Sequence, residues 1–111
     1  MKLFLITSLL PVLASAVTLS IPANTKAGTT SQITWVSGSF DPPTWSLFLM
    51  NSSDPFGLKG ILGENIDPSL GALDITLPSG LKATNGYILK AVYPDNVDRA
   101  AGWSPKFAVT N

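Results

Sequence analysis

Neither cysteine nor histidine occurs among the 111 residues. Their absence removes the usual ligands of zinc and haem, the thiol nucleophiles and the nucleophile–histidine relays of common hydrolases. Small secreted domains often rely on disulfides, because a short chain buries a smaller fraction of its surface. Here every stabilising contact has to come from packing. Charge is scarce as well: seven Lys and Arg stand against seven Asp and Glu, 13% of the chain. Nucleic acid and anionic membrane call for clustered Lys and Arg, so neither is an expected partner.

The acidic residues are equally uninformative about catalysis. Glycoside hydrolysis needs two carboxyl groups about 5 to 10 Å apart, one with a raised pKa. The seven carboxylates are scattered and form no acid-rich motif. Ser79 lies in Pro78-Ser79-Gly80, which is not a nucleophile elbow and offers no candidate base. Asp95-Asn96-Val97-Asp98 brings two carboxylates and an amide together, but the spacing matches no calcium loop. It reads as a solvated turn with Asp98 pairing near Arg99. The expectation is a protein that is not an enzyme, with no catalytic residue, cofactor or metal site.

Long hydrophobic runs are missing after the first sixteen residues, and those sixteen resemble a secretory leader. Lys2 supplies the positive end, Leu3 to Ala14 is almost wholly apolar, and Ala14-Ser15-Ala16 is a small-x-small cleavage site. The run is too short for a bilayer span, which takes about 20 residues. Cleavage after Ala16 would leave a single domain of 95 residues, 17–111, with no membrane span. Losing Lys2 leaves six basic against seven acidic residues, a net charge of −1. Part of the positive mean hydropathy of +0.29 belongs to the leader.

What the chain does have is alternation. Val17, Leu19 and Ile21 form the apolar face of a first strand that Pro22 stops. Gly28 is free to take positive φ and leads into a strand over about Ser31 to Ser37, where Ile33 and Trp35 share one face. Thr44 to Asn51 is apolar on both faces: Trp45, Leu47 and Leu49 on one, Phe48 and Met50 on the other. Such a strand is normally central or has its outer face covered. Lys59 to Leu62 reads as a short strand, and Leu73-Asp74-Ile75-Thr76-Leu77 alternates most clearly of all. Asn85-Gly86 signals a turn into a strand from Tyr87 to Tyr93. Pro94 to Gly102 reads as a polar loop, and a last strand is expected over about Ser104 to Thr110. About seven short antiparallel strands punctuated by Gly, Pro and Asn predict an all-β sandwich.

Several short motifs occur in a familiar order. Ala27-Gly28 with Gln32-Ile33-Thr34-Trp35, then Leu47 and Leu49, Leu77-Pro78-Ser79-Gly80-Leu81, Gly86-Tyr87-Ile88-Leu89 and Ser104-Pro105-Lys106-Phe107 together cover nearly all of 17–111. In this the chain resembles the N-terminal domain of the yeast cell-wall-synthesis (KRE/KNH-like) family, also found in Ser/Thr-rich GPI-anchored wall proteins. The resemblance implies an immunoglobulin-like β-sandwich, a fungal source and export to the wall or medium. Members are linked to β-1,6-glucan assembly, and no catalytic residues are assigned to the domain. Two departures stand out: Asp74-Ile75-Thr76 replaces an aromatic-bearing strand, and neither a Ser/Thr-rich stalk nor a hydrophobic GPI signal follows the last strand. A free secreted form is expected.

Three positions are candidates for function. Asn51-Ser52-Ser53 is the only N-glycosylation acceptor, making the product a candidate glycoprotein at Asn51. Trp35, Tyr87 and Phe107 fall on inward faces, whereas Phe40, before Asp41-Pro42-Pro43, and Trp103, after Gly102, are the aromatics best placed to stack on a ligand. The expected function is a secreted, non-catalytic protein of the fungal cell wall that binds or helps organise wall polysaccharide, β-glucan in particular. The alternative is a small secreted protein–protein interaction module or effector, using the Phe48/Met50 face or an edge strand.

Overall fold

The computed structural model describes residues 17–38, 42–52 and 57–111. The leader with its cleavage step after Ala16, and Phe40, lie outside the described residues. Among the described residues seven strands follow in order: β1 (Val17–Leu19), β2 (Thr30–Val36), β3 (Trp45–Asn51), β4 (Gly57–Ile66), β5 (Ala72–Thr76), β6 (Tyr87–Tyr93) and β7 (Asn96–Trp103). A 3-10 turn, Pro68–Leu70, sits between β4 and β5. Hydrogen bonding links the strands in the order β4-β3-β6-β7-β1-β2-β5. Every pairing is antiparallel except that of β1 with β7, which is parallel.

That linear order is folded over on itself. Trp35 on β2 and Trp45 on β3 are far apart in the strand sequence of the sheet, yet their rings meet edge to face at 4.9 Å and 77°. The layer β2–β5 therefore packs against the layer β4–β3–β6–β7, and β1 is the short strand shared by both. Alternation decides which side chains fill the space between the layers. Ile33 and Trp35 from β2, Leu47 and Leu49 from β3, Ile75 from β5, and Tyr87, Leu89 and Ala91 from β6 are all buried in one cluster. Gln32, Thr34 and Val36 point to solvent as the two-residue period requires.

Local chemistry holds the ends. Gly28 adopts φ +79°, and its N–H donates to the Leu77 carbonyl at 3.0 Å, tying the turn before β2 to the end of β5. The Tyr87 hydroxyl donates to the Lys82 carbonyl at 2.7 Å. This is the tyrosine-corner arrangement of immunoglobulin-like sandwiches, a tyrosine at a strand start bonded back to upstream backbone. At the opposite corner Asp67 accepts from the backbone N–H and the hydroxyl of Ser69 at 2.9 and 2.8 Å. Those two donors, the backbone one first, hold its carboxyl below the usual carboxylate range.

Two strand assignments differ from the sequence reading. Residues expected to form a polar loop from Pro94 form β7, because Tyr93-Pro94-Asp95-Asn96 closes a tight hairpin and the exposed Asn96 to Arg99 carry no apolar alternation to reveal it. The expected last strand over Ser104 to Thr110 is reduced to isolated bridges, Phe107 with Tyr87 and Thr110 with Lys26. Pro105 has no N–H to continue the ladder. The buried Ser104 hydroxyl fills in, accepting from the Leu89 N–H at 2.9 Å and donating to the Pro105 carbonyl at 2.8 Å. Elsewhere the differences are of length: β1 ends at Leu19, and the short strand at Lys59 extends over Gly57–Ile66.

The two core tryptophans differ in one respect. Trp35 Nε1 donates to the Pro68 carbonyl at 2.8 Å, whereas Trp45 Nε1 is buried with no hydrogen-bond acceptor. Leaving a buried polar group unpaired costs about 1–3 kcal/mol. Replacing Trp35 by Phe removes one of the two hydrogen bonds that the Pro68 carbonyl accepts, leaving it the Gly71 N–H at 3.3 Å, while replacing Trp45 by Phe removes an N–H that has no acceptor. Trp35→Phe should therefore be the more destabilising of the two by about 0.5–1.5 kcal/mol in urea unfolding, the net worth of one hydrogen bond, and equal losses would show that the Pro68 bond contributes nothing.

Candidate functional site

The solvent side of the larger layer is organised by strand register. Ile61 on β4, Phe48 on β3, Lys90 on β6, Trp103 on β7, Thr18 on β1 and Val36 on β2 are successive cross-strand partners. They form one row running across six strands, on the face opposite to Leu47, Leu49, Leu89 and Ala91. With strands about 4.8 Å apart, the part of the row on the larger layer, Ile61 to Trp103, is about 14 Å long, and Thr18 and Val36 continue it through the shared strand β1 onto the other layer. Beside it runs a second row, Leu58–Met50–Ile88. On its other side, Ser46 pairs with Val92, and both are buried outside the main core cluster. The accessible apolar surface of this layer is therefore a strip, with Leu58, Ile61 and Trp103 its most exposed members.

Trp103 is 47% exposed, whereas Trp35 and Trp45 are buried. It sits at the end of β7, not in a loop as the sequence implied, and Gly102 determines its position. A methyl group at Gly102 would run into the Val17 carbonyl, so only glycine lets β1 approach β7 closely enough for the parallel pairing of Thr18 with Trp103. On the other flank, Lys90 Nζ lies 5.2 Å from the centre of the indole ring. Such exposed cation–π contacts are worth about 0.5–1 kcal/mol. A similar contact occurs at the neighbouring hairpin, where the Arg99 guanidinium lies 4.1 Å from the centre of the Tyr93 ring. Arg99 is thus engaged with an aromatic, and Asp98 closes an Asx turn, its N–H donating to Asn96 Oδ1 at 3.1 Å.

Two shallow depressions lie near the Tyr87 end of the sandwich. One, of about 470 Å³, lies between Leu58–Lys59 and the turn from Pro78 to Lys82. The other, of about 370 Å³, lies between Asn85–Gly86 and Lys106–Ala108. Among the described residues no carboxylate lines either one, so neither presents the acid pair of a glycosidase. Ser79 is exposed on the turn beside Gly28.

Asn51 is placed differently from the sequence expectation. It ends β3 with only 1% of its surface exposed, and its Nδ2 donates to the Asn85 carbonyl at 3.5 Å. Ser52 is tied to the same turn, with its N–H and hydroxyl both donating to the Gly86 carbonyl, at 2.8 and 3.0 Å. An N-glycan has to leave from Asn51 Nδ2, and this packing gives it no exit. The sequon lacks that access because Asn51 has the inward parity of Leu47 and Leu49. Sequence reasoning located Trp103 but not its neighbours Lys90 and Ile61. Their outward parity is legible in the alternation, but the register that aligns them is not.

Two layers joined by a short shared first strand, with a tyrosine corner, define an immunoglobulin-like sandwich. The chain belongs to the Kre9/KNH-like N-terminal Ig-like domain family, whose profile matches residues 20–109. That family is tied to glucan synthesis in the yeast cell wall. A comparison with curated proteins gave no match. No helix among the described residues is long and apolar enough to cross a membrane.

Asn51 generates a simple test. Protein exported from a glycosylating host should show no mobility change on endoglycosidase treatment, and a shift that Asn51→Gln removes would show that the side chain leaves its buried position.

Proposed function

We propose that this is a secreted, non-catalytic protein of the fungal cell wall that associates with wall polysaccharide, β-glucan in particular. Membership of a wall-glucan family supports the setting. The observation that carries the reading is the exposed Trp103 on an open sheet face. An indole ring offers a flat apolar surface at low entropic cost, and the CH face of a pyranose is its natural complement. An open strip suits a polymer, whereas a small metabolite is usually bound in an enclosing cleft.

A second reading is supported by the edge strand β4, where Leu58 and Ile61 are both exposed. Exposed apolar residues on an edge strand favour pairing with another protein. The two readings separate in one experiment. Mature protein, 17–111, should co-sediment with insoluble β-glucan while remaining monomeric in analytical ultracentrifugation. Failure to bind any wall polysaccharide, together with a concentration-dependent rise in mass, would reverse the order of the two.

A further inference from the structure

The register of the outer row says more than that an aromatic is exposed. Phe48 and Trp103 are separated by the single strand β6, with Lys90 between them. Two strand spacings set the backbone positions that carry the rings about 9.6 Å apart, close to the distance between alternate sugar units in an extended β-linked chain. We propose that Phe48 and Trp103 stack on alternate rings of such a chain laid across the strands, with Lys90 spanning the intervening unit. This rests on the polysaccharide reading and adds the site, the direction of the chain and a minimum ligand length.

Three features of the row favour this occupant over another. Its six members include one cation and no carboxylate, which fits an uncharged ligand rich in hydroxyl acceptors. The Lys90 ammonium offers three donors. Its contact with Trp103 at 5.2 Å is of the weak, exposed kind, so a sugar ring can displace it and leave the ammonium free to bond hydroxyl groups. Last, a twofold contact between copies presents the same patch on both sides. Centred on this row it would set Lys90 against its own counterpart, and charged residues are depleted from the cores of protein interfaces.

The geometry makes ligand length the decisive variable. A disaccharide reaches one aromatic only, whereas a trisaccharide reaches both. Isothermal titration with β-linked gluco- and chito-oligosaccharides of two, three and five units should show an affinity step of about tenfold between two and three units. Trp103→Leu and Phe48→Leu keep apolar surface but remove the ring, and each should abolish the step. Half-buried Phe48 also packs, so its variant is read only if its melting curve is cooperative. Trp103→Leu, at an exposed position, carries the test otherwise. Binding with no length step, or with a step both variants retain, overturns the platform while leaving the polysaccharide reading intact. No binding to any β-linked oligosaccharide or insoluble glucan overturns both. A wild-type dimer that Trp103→Leu dissociates would overturn the platform by showing that a second copy occupies the face.

Discussion

The contact on which the rest of the sandwich depends is the perpendicular meeting of Trp35 and Trp45 between the layers. Without cysteine there is no covalent tie across the interior, and a domain this small has little surplus area to bury. Two indoles in edge-to-face contact concentrate apolar burial where the strand order places no hydrogen bonds, between β2 and β3. The 3-10 turn at Pro68 belongs to the same arrangement, because it supplies the acceptor for Trp35 Nε1 and a carbonyl, from Gly71, for the Trp35 backbone N–H. Asp67 in turn holds that 3-10 segment through Ser69.

Committing Trp35, Trp45, Tyr87 and Phe107 to the interior leaves the outer face of the larger layer to a few residues whose positions are set by backbone pairing. Gly102 is the hinge between these two regimes. Its missing side chain lets β1 pair with β7, which joins the layers into one hydrogen-bonded sheet and brings Thr18 beside Trp103. Core and surface are therefore coupled through β1. Val17 and Leu19 are buried while Thr18 between them is exposed on the outer row. Three residues thus serve both the closure of the fold and the boundary of the open strip.

The inward side of this fold was legible because period-two alternation leaves a direct trace in the residues. Ile33, Trp35, Leu47, Leu49, Ile75 and Tyr87 all lie where their parity places them. β7 was not legible, because a projecting hairpin has water on both sides over Asn96 to Arg99 and so needs no apolar stripe. Asn51 is the opposite case: the sequon marks a glycan acceptor but not its burial, and the side chain packs on the Asn85 carbonyl inside the fold. The outer row required register, and register depends on bulges between β3 and β4 and between β6 and β7 that no local pattern marks. Of the two stacking candidates Trp103 lies on the open face, Phe40 falls outside the described residues, and Phe48 takes the matching position on the strip.

The central claim is a division of labour among three tryptophans, two holding the sandwich and one facing a ligand. Each contributes one indole N–H signal to a proton–nitrogen correlation spectrum, so the claim can be read residue by residue. On titrating mature protein with a soluble β-linked glucan, the Trp103 indole signal should shift progressively while those of Trp35 and Trp45 stay in place. Movement of the Trp35 or Trp45 signals with Trp103 unchanged would contradict it.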